Sequence, residues 1–205
     1  MKFSFDSPLV DYLNTMFAFI VLNLVFLICC IPVFTIGPAL AALYHVTLKE
    51  AKKEYGYIIR TYFKHFVKYF KQGFCMSLCL ALPLLVVVFS IFFWYAMESV
   101  AAMAATAFLA VIAVLIYAVI TYAFPLLSRY ENTVKQTIKN ALYMAVGHPL
   151  FTLILIAVDV VFFALLYFVD AGKIFMGIVG FSFAAMCKSA ILVKVFEKYE
   201  MEEDI

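Results

Sequence analysis

The sequence predicts an all-α, polytopic membrane protein with about five transmembrane helices and two amphipathic helices on the cytoplasmic side. Three observations carry that prediction. Hydrophobic residues make up 67% of the chain and charged residues 14%, mean hydropathy is +1.07, and apolar runs of spanning length recur along it. A soluble domain has about a quarter of its residues charged, so this composition belongs to a chain whose solvent is largely lipid. Helix is the implied form, because backbone groups in hydrocarbon must be satisfied within the segment and the alternating pattern of barrel strands is absent. With 205 residues and so little polar material, a single membrane domain over 1–205 is expected.

A helix crosses the hydrocarbon core with about 20 apolar residues. The runs that meet this length fall at 14–33, 74–97, 100–124, 149–169 and 174–196. The N-terminal MKFSFDSPLVDYLNTM has one lysine, two aspartates and no small-residue cleavage site after a short hydrophobic region, so the first run reads as an uncleaved span. That run continues into IPVFTIGPALAAL, where Pro32, Thr35, Gly37 and Pro38 form a candidate helix break. Proline suits a first helical turn and glycine a helix end, so one reading is a boundary turn, with residues 38–53 leaving along or just inside the cytoplasmic face. The other is an unwound helix whose freed backbone groups line a cavity.

Between the first two spans, YIIRTYFKHFVKYFKQGF places Arg60, Lys64, Lys68 and Lys71 at helical spacing, with Ile59, Tyr62, Phe63, Phe66, Val67 and Phe70 on the other face. Between the third and fourth, SRYENTVKQTIKNALYMAV lines Val134, Ile138, Leu142 and Ala145 on one face, and Lys135, Gln136 and Lys139 on another. Such basic amphipathic helices fit an interface of lipid and water, with anionic headgroups as partners, or a docking surface for another protein. The aromatics have a membrane to sit in, so nucleic acid is not an expected partner.

Twelve lysines and arginines lie in the two long connections and around the end of the last span, against Lys2 and Lys173 on the opposite side. The positive-inside rule therefore orients the chain with its N-terminus out and its C-terminus in.

Ionisable groups within spans cost about 2.5–3.5 kcal/mol on insertion scales and mark candidate sites. Asp159 in the fourth span and Lys188 in the fifth lie roughly 15 Å and 12 Å from the cytoplasmic ends at about 1.5 Å per residue, so they can meet. Lys188 shares a face with Gly177, Gly180 and Ala184, a small-residue surface suited to close helix packing. Asn23 lies at similar depth, and Asn23, Asp159 and Lys188 form the candidate intramembrane polar cluster. The pair reads as a structural neutralisation or as a substrate, ion or proton site; in a third reading Lys188 snorkels to the inner surface and leaves Asp159 to another partner or protonated.

Cys29, Cys30, Cys75, Cys79 and Cys187 fall within or at the ends of spans and form no C-x-x-C pair, so they read as free thiols. His45, His65 and His148 are scattered over cytoplasmic connections without metalloprotease spacing. No Walker sequence or dinucleotide fingerprint is present. Neither a catalytic residue, a metal nor a cofactor is expected.

The segments TIGPALAALY, FKHFVKYFKQG and PLLSRYENTVKQTIKNAL give the chain a resemblance to the YesL-like family of bacterial membrane proteins of unknown function. Thr35, Gly37, Pro38 and Ala39 are its most specific part, and Phe63, Phe66, Phe70 and Gln72 fit the helix after it. The resemblance implies a bacterial inner-membrane protein associated with carbohydrate uptake, with a sugar ABC importer or other membrane protein as partner, and implies no activity. The expected function is a non-enzymatic accessory or regulator of solute uptake. The alternative is a small stand-alone transporter or channel using the midplane cluster, and a third reading is an intramembrane enzyme.

Overall fold

The computed structural model describes residues 8–54, 56–97 and 99–203. Among the described residues the chain is helical throughout: α1 (Pro8–Cys30), a 3-10 turn (Val33–Thr35), α2 (Ile36–Ala51), α3 (Ile58–Lys68), α4 (Phe70–Tyr95), α5 (Val100–Arg129), α6 (Val134–Gly147), α7 (Pro149–Phe168), α8 (Asp170–Phe175), a π-helical turn (Met176–Gly180) and α9 (Phe181–Glu203). Helices α4, α5, α7 and the continuous run Asp170–Lys198 are long and apolar enough to cross a membrane, and Asn14–Cys30 is a shorter apolar helix. The protein is an all-α, polytopic membrane protein.

The expected break is present. α1 ends at Cys30, and after Pro32 the 3-10 turn leads directly into α2. The Thr35 hydroxyl is within hydrogen-bond distance of the carbonyls of Cys29 and Pro32, occupying acceptors that the end of α1 leaves open. Pro38 sits in the first turn of α2, where a missing N–H costs no intrahelical bond.

The expected helix after the break is present, but it is enclosed by the bundle rather than lying on its surface. α2 is the axis of the bundle: Gly37, Pro38, Ala39, Ala41, Ala42, Leu43, Tyr44, Val46, Thr47 and Leu48 are all buried, packed by α1, α3, α4, α5 and α9. Its alanines let the surrounding backbones come close, as packing in lipid requires. At its far end Lys53 adopts a left-handed φ of 61°. Lys53 N–H bonds to the Glu50 carbonyl at 2.9 Å and Glu54 N–H to the Lys49 carbonyl at 3.0 Å, closing α2 in a Schellman arrangement.

The basic segment after α2 is divided at Tyr69, so Arg60, Lys64 and Lys68 belong to α3 whereas Lys71 opens α4. Tyr62 is the fully buried anchor of α3. α6 is rotated from the expected face: Thr137, Ala141, Met144 and Ala145 are buried, and Leu142 is exposed. The ends of α3, α5 and α9 meet at one end of the bundle, where Tyr69 donates to the Ser128 carbonyl at 2.9 Å, Lys68 pairs with Glu131 at 2.7 Å, and the Arg129 guanidinium lies 5.0 Å from the Phe196 ring centre. We call this the basic end.

Candidate functional site

The two ionisable residues inside the spans meet. Lys188 on α9 places its Nζ 2.9 Å from each carboxylate oxygen of Asp159 on α7. Tyr117 on α5 donates its hydroxyl to Asp159 Oδ2 at 2.9 Å, and the Lys188 ammonium lies 5.7 Å from the centre of the Tyr44 ring on α2. Side-chain exposure is 9% for Lys188 and 15% for Asp159, so four helices converge on one almost dry ion pair. Bidentate contact, a second donor to the carboxylate and an aromatic face beside the ammonium give each charge the partners that burial demands. Ser189, next to Lys188 in the chain, brings its hydroxyl 2.7 Å from that of Thr47, tying α2 to α9 once more.

Asn23 does not join this pair. Its Nδ2 donates to the carbonyls of Met176 at 3.1 Å and Gly177 at 2.8 Å, and its Oδ1 accepts from Ser182 N–H at 3.1 Å. All three partners lie in or beside the π-helical turn, where the ordinary i to i−4 ladder is interrupted and backbone groups need outside partners. The Ser182 hydroxyl reaches back to the Phe19 carbonyl at 3.0 Å. Asn23 is therefore the fastening of α1 onto the π turn. Asn23→Leu is expected to lower stability by about 1–3 kcal/mol for each backbone group left unpaired, whereas Ser182→Ala, which keeps its N–H, costs less. Thermal unfolding in detergent compares the two.

The glycine surface on the last span also departs from expectation. A Cβ at Gly177 would meet nothing within 4 Å, and one at Gly180 would meet only the Met176 side chain of the turn before it. The close helix crossing lies elsewhere: a Cβ at Gly37 would stand 2.2 Å from the Gly73 carbonyl oxygen, and one at Gly73 2.7 Å from the Pro38 nitrogen. Gly37 has no positive φ, so its role at the break is close approach of α2 to α4, not a left-handed turn.

At the basic end, Arg60, Lys64, Lys71, Lys135 and Lys139 extend from α3, α4 and α6. Lys68 is already engaged by Glu131 and lies 5.6 Å from the Tyr69 ring centre, and Lys139 lies 5.6 Å from that of Tyr143. The cysteines are all free, with Cys75 and Cys79 on the outer surface of α4 rather than inside the bundle.

One further arrangement carries no signal in the sequence. The rings of His45 on α2 and His65 on α3 stack with centres 3.4 Å apart and planes at 21°. His45 Nδ1 is 2.9 Å from the Ser128 carbonyl and must carry a proton to donate to it, which leaves Nε2 as the bare nitrogen of the neutral ring. Both His45 Nε2 and His65 Nδ1 are buried without a hydrogen-bond partner. Burial, aided by neighbouring positive charges, pushes His65 down to about 4, and burial likewise holds His45 below the usual imidazole range. Two histidines so far apart along the chain match no motif, and only the packing of α3 on α2 brings them together.

No curated protein and no solved structure matches the chain. The model of a family described as "Protein of unknown function, DUF624" matches residues 19–93, from within α1 through the 3-10 turn, α2 and α3 to the last turn of α4. That match includes Asn23, the break, the Gly37–Gly73 crossing and both stacked histidines.

Proposed function

We propose that the chain is a YesL-like protein of a bacterial inner membrane, a non-enzymatic accessory or regulator of solute uptake, with carbohydrates as the solute class. The observation that carries this reading is how the intramembrane charges are used. Lys188 is bound to both oxygens of Asp159, and Tyr117 holds one of them as well, so these groups already satisfy one another as helix fasteners. The unspent charges lie at the basic end, on α3, α4 and α6, where a membrane subunit meets anionic headgroups or a partner protein. The bacterial setting rests on the resemblance to the YesL-like family; the match to the DUF624 family over 19–93 supplies no activity. The solute class rests on that resemblance.

In this reading the basic end is cytoplasmic, the N-terminus outside and the C-terminus inside, because translocating these lysines and arginines would oppose the usual bias. Thiols introduced on a cysteine-free background in 50–72 and 130–146 are expected to react only from the cytoplasm, and labelling from outside would reverse the assignment.

Purification in a mild detergent is expected to recover an uptake permease with the chain. Neutralising Arg60, Lys64, Lys135 and Lys139 together should weaken that recovery, and the chain alone in liposomes should move no solute. The second reading, a small transporter, draws on the same ion pair, since a charged pair between four helices is also how a coupling site is built. Solute movement by the chain alone that disappears in Asp159→Asn would establish it.

A further inference from the structure

The His45–His65 stack lies at a junction of three elements. His45 belongs to the buried axis α2, His65 to the basic helix α3, and the Ser128 carbonyl that His45 engages lies at the end of α5. Tyr69, at the joint between α3 and α4, packs its ring 5.5 Å from His65 and 6.1 Å from His45 while its hydroxyl donates to the same Ser128 carbonyl. We propose that this stack is a proton-sensitive clamp: uncharged, it fastens α3 to α2 and to the end of α5, and acidification loosens α3 and the basic face it carries.

Most groups around the stack act in one direction; for His45 two oppose them, the Ser128 carbonyl that accepts its hydrogen bond and one nearby carboxylate. α2 contributes Lys49, and α3 contributes Lys64 and Lys68, each disfavouring a further positive charge; Glu54, in the connection after α2, opposes them for His45. On the α5 side, Arg129 is directed at the rings of Tyr130 and Phe196, and Glu131 is paired with Lys68. On α9, Lys188 is committed to Asp159. α1 presents the Cys29 and Cys30 thiols toward Tyr62. A second proton on His45 would sit on a buried nitrogen with no acceptor, and a cation on either ring would face its neighbour across a 3.4 Å stack.

Both histidines are held below their ordinary value of 6.5 when α3 is docked, so the released state binds more protons. Docking is therefore fully present above about 6.5 and is lost progressively as pH falls toward about 4, the value for docked His65. Each unit separating docked and released values is worth about a tenfold change in the docking equilibrium per proton. The clamp stands independently of what the basic face binds.

The test uses the full chain in nanodiscs of zwitterionic phosphatidylcholine, with hydrogen exchange of 58–68 followed by mass spectrometry and corrected for intrinsic rates. Between about pH 7.5 and about pH 5, α3 is expected to lose protection by about tenfold or more relative to α2. His65→Phe keeps a flat ring against His45 and removes one of the two titrating groups, so its α3 should lose clearly less protection than wild type between the two values. Equal protection of wild-type α3 across the range, or a His65→Phe response identical to wild type, overturns the clamp. Should His65→Phe fail to fold, ring resonances of histidine-labelled wild-type chain decide: protonation of two rings must accompany the loss of protection, and protonation without that loss overturns it equally.

Discussion

Gly37→Val is expected to abolish accumulation of folded protein. An added Cβ would stand 2.2 Å from the Gly73 carbonyl oxygen and 2.8 Å from its carbonyl carbon, and both are backbone atoms of α4 that no rotamer change can move aside. The Ser77 hydroxyl, 2.7 Å away, closes the third direction. α2 and α4 would have to separate, and because α2 is the axis on which α1, α3, α5 and α9 also pack, the displacement spreads through the bundle. Overpacking commonly costs about 1–3 kcal/mol and more where backbone blocks backbone, so we expect at least about 3 kcal/mol, a large part of a domain's total stability. Gly73→Val should be comparable, since its Cβ would meet Pro38 at 2.7 Å. Gly56→Ala is the matched control: nothing lies within 4 Å of its Cβ, and the change should stay within about 0.5 kcal/mol. Ala41→Val is no neutral control, because Ala41 is fully buried. Thermal melting and monodispersity in detergent read all four, and a Gly37→Val chain that melts like wild type would show that α2 does not lie against α4 as described.

The second large effect is expected at the ion pair. Asp159→Asn leaves the Lys188 ammonium with only the Tyr44 ring and neutral oxygens, and Lys188→Met leaves a carboxylate with only the Tyr117 hydroxyl. Removing one partner of a buried pair typically costs about 3–5 kcal/mol, because the survivor keeps its desolvation penalty and loses its compensation. The combined Asp159→Asn, Lys188→Met chain removes both charges and should recover much of the stability, giving a coupling of at least about 2 kcal/mol. Equilibrium unfolding in detergent gives the four corners of the cycle. Additive losses would mean the pair is not energetically coupled. Recovered stability with function intact assigns the pair to architecture, as the accessory reading requires, and recovered stability with function lost assigns it to work.

Much of this architecture is legible from residues alone, and the reason is physical. Helix count and approximate bounds follow from the length of apolar runs, because the thickness of the hydrocarbon core is a fixed ruler and lipid offers the backbone no other partner. The Asp159–Lys188 pairing follows from the same ruler, since consecutive antiparallel spans place equal depths side by side and an unpaired charge there is costly. The break at Pro32 follows from the chemistry of proline, which acts within one turn of itself.

Tertiary structure alone decided which faces meet. In water, a helix's apolar stripe identifies its buried side; in lipid, outward and inward faces are both apolar, so hydropathy does not say that α2 is the axis while α4 faces outward with most of its large side chains exposed. Counting residues puts Asn23 at the depth of the ion pair, yet its partners are at the π turn, 153 and 154 residues away for the two carbonyls, a distortion of backbone that no local pattern announces. Gly37 is marked as a turn residue by its neighbours Pro32 and Pro38, and only the crossing with Gly73 shows that it is there for want of a side chain. The stacked histidines are the same case: each belongs to an unremarkable stretch, and their chemistry exists only because α3 folds back onto α2. Depth is a property that one segment's length and polarity encode, whereas contact depends on two segments and the angle at which they cross, which neither encodes by itself.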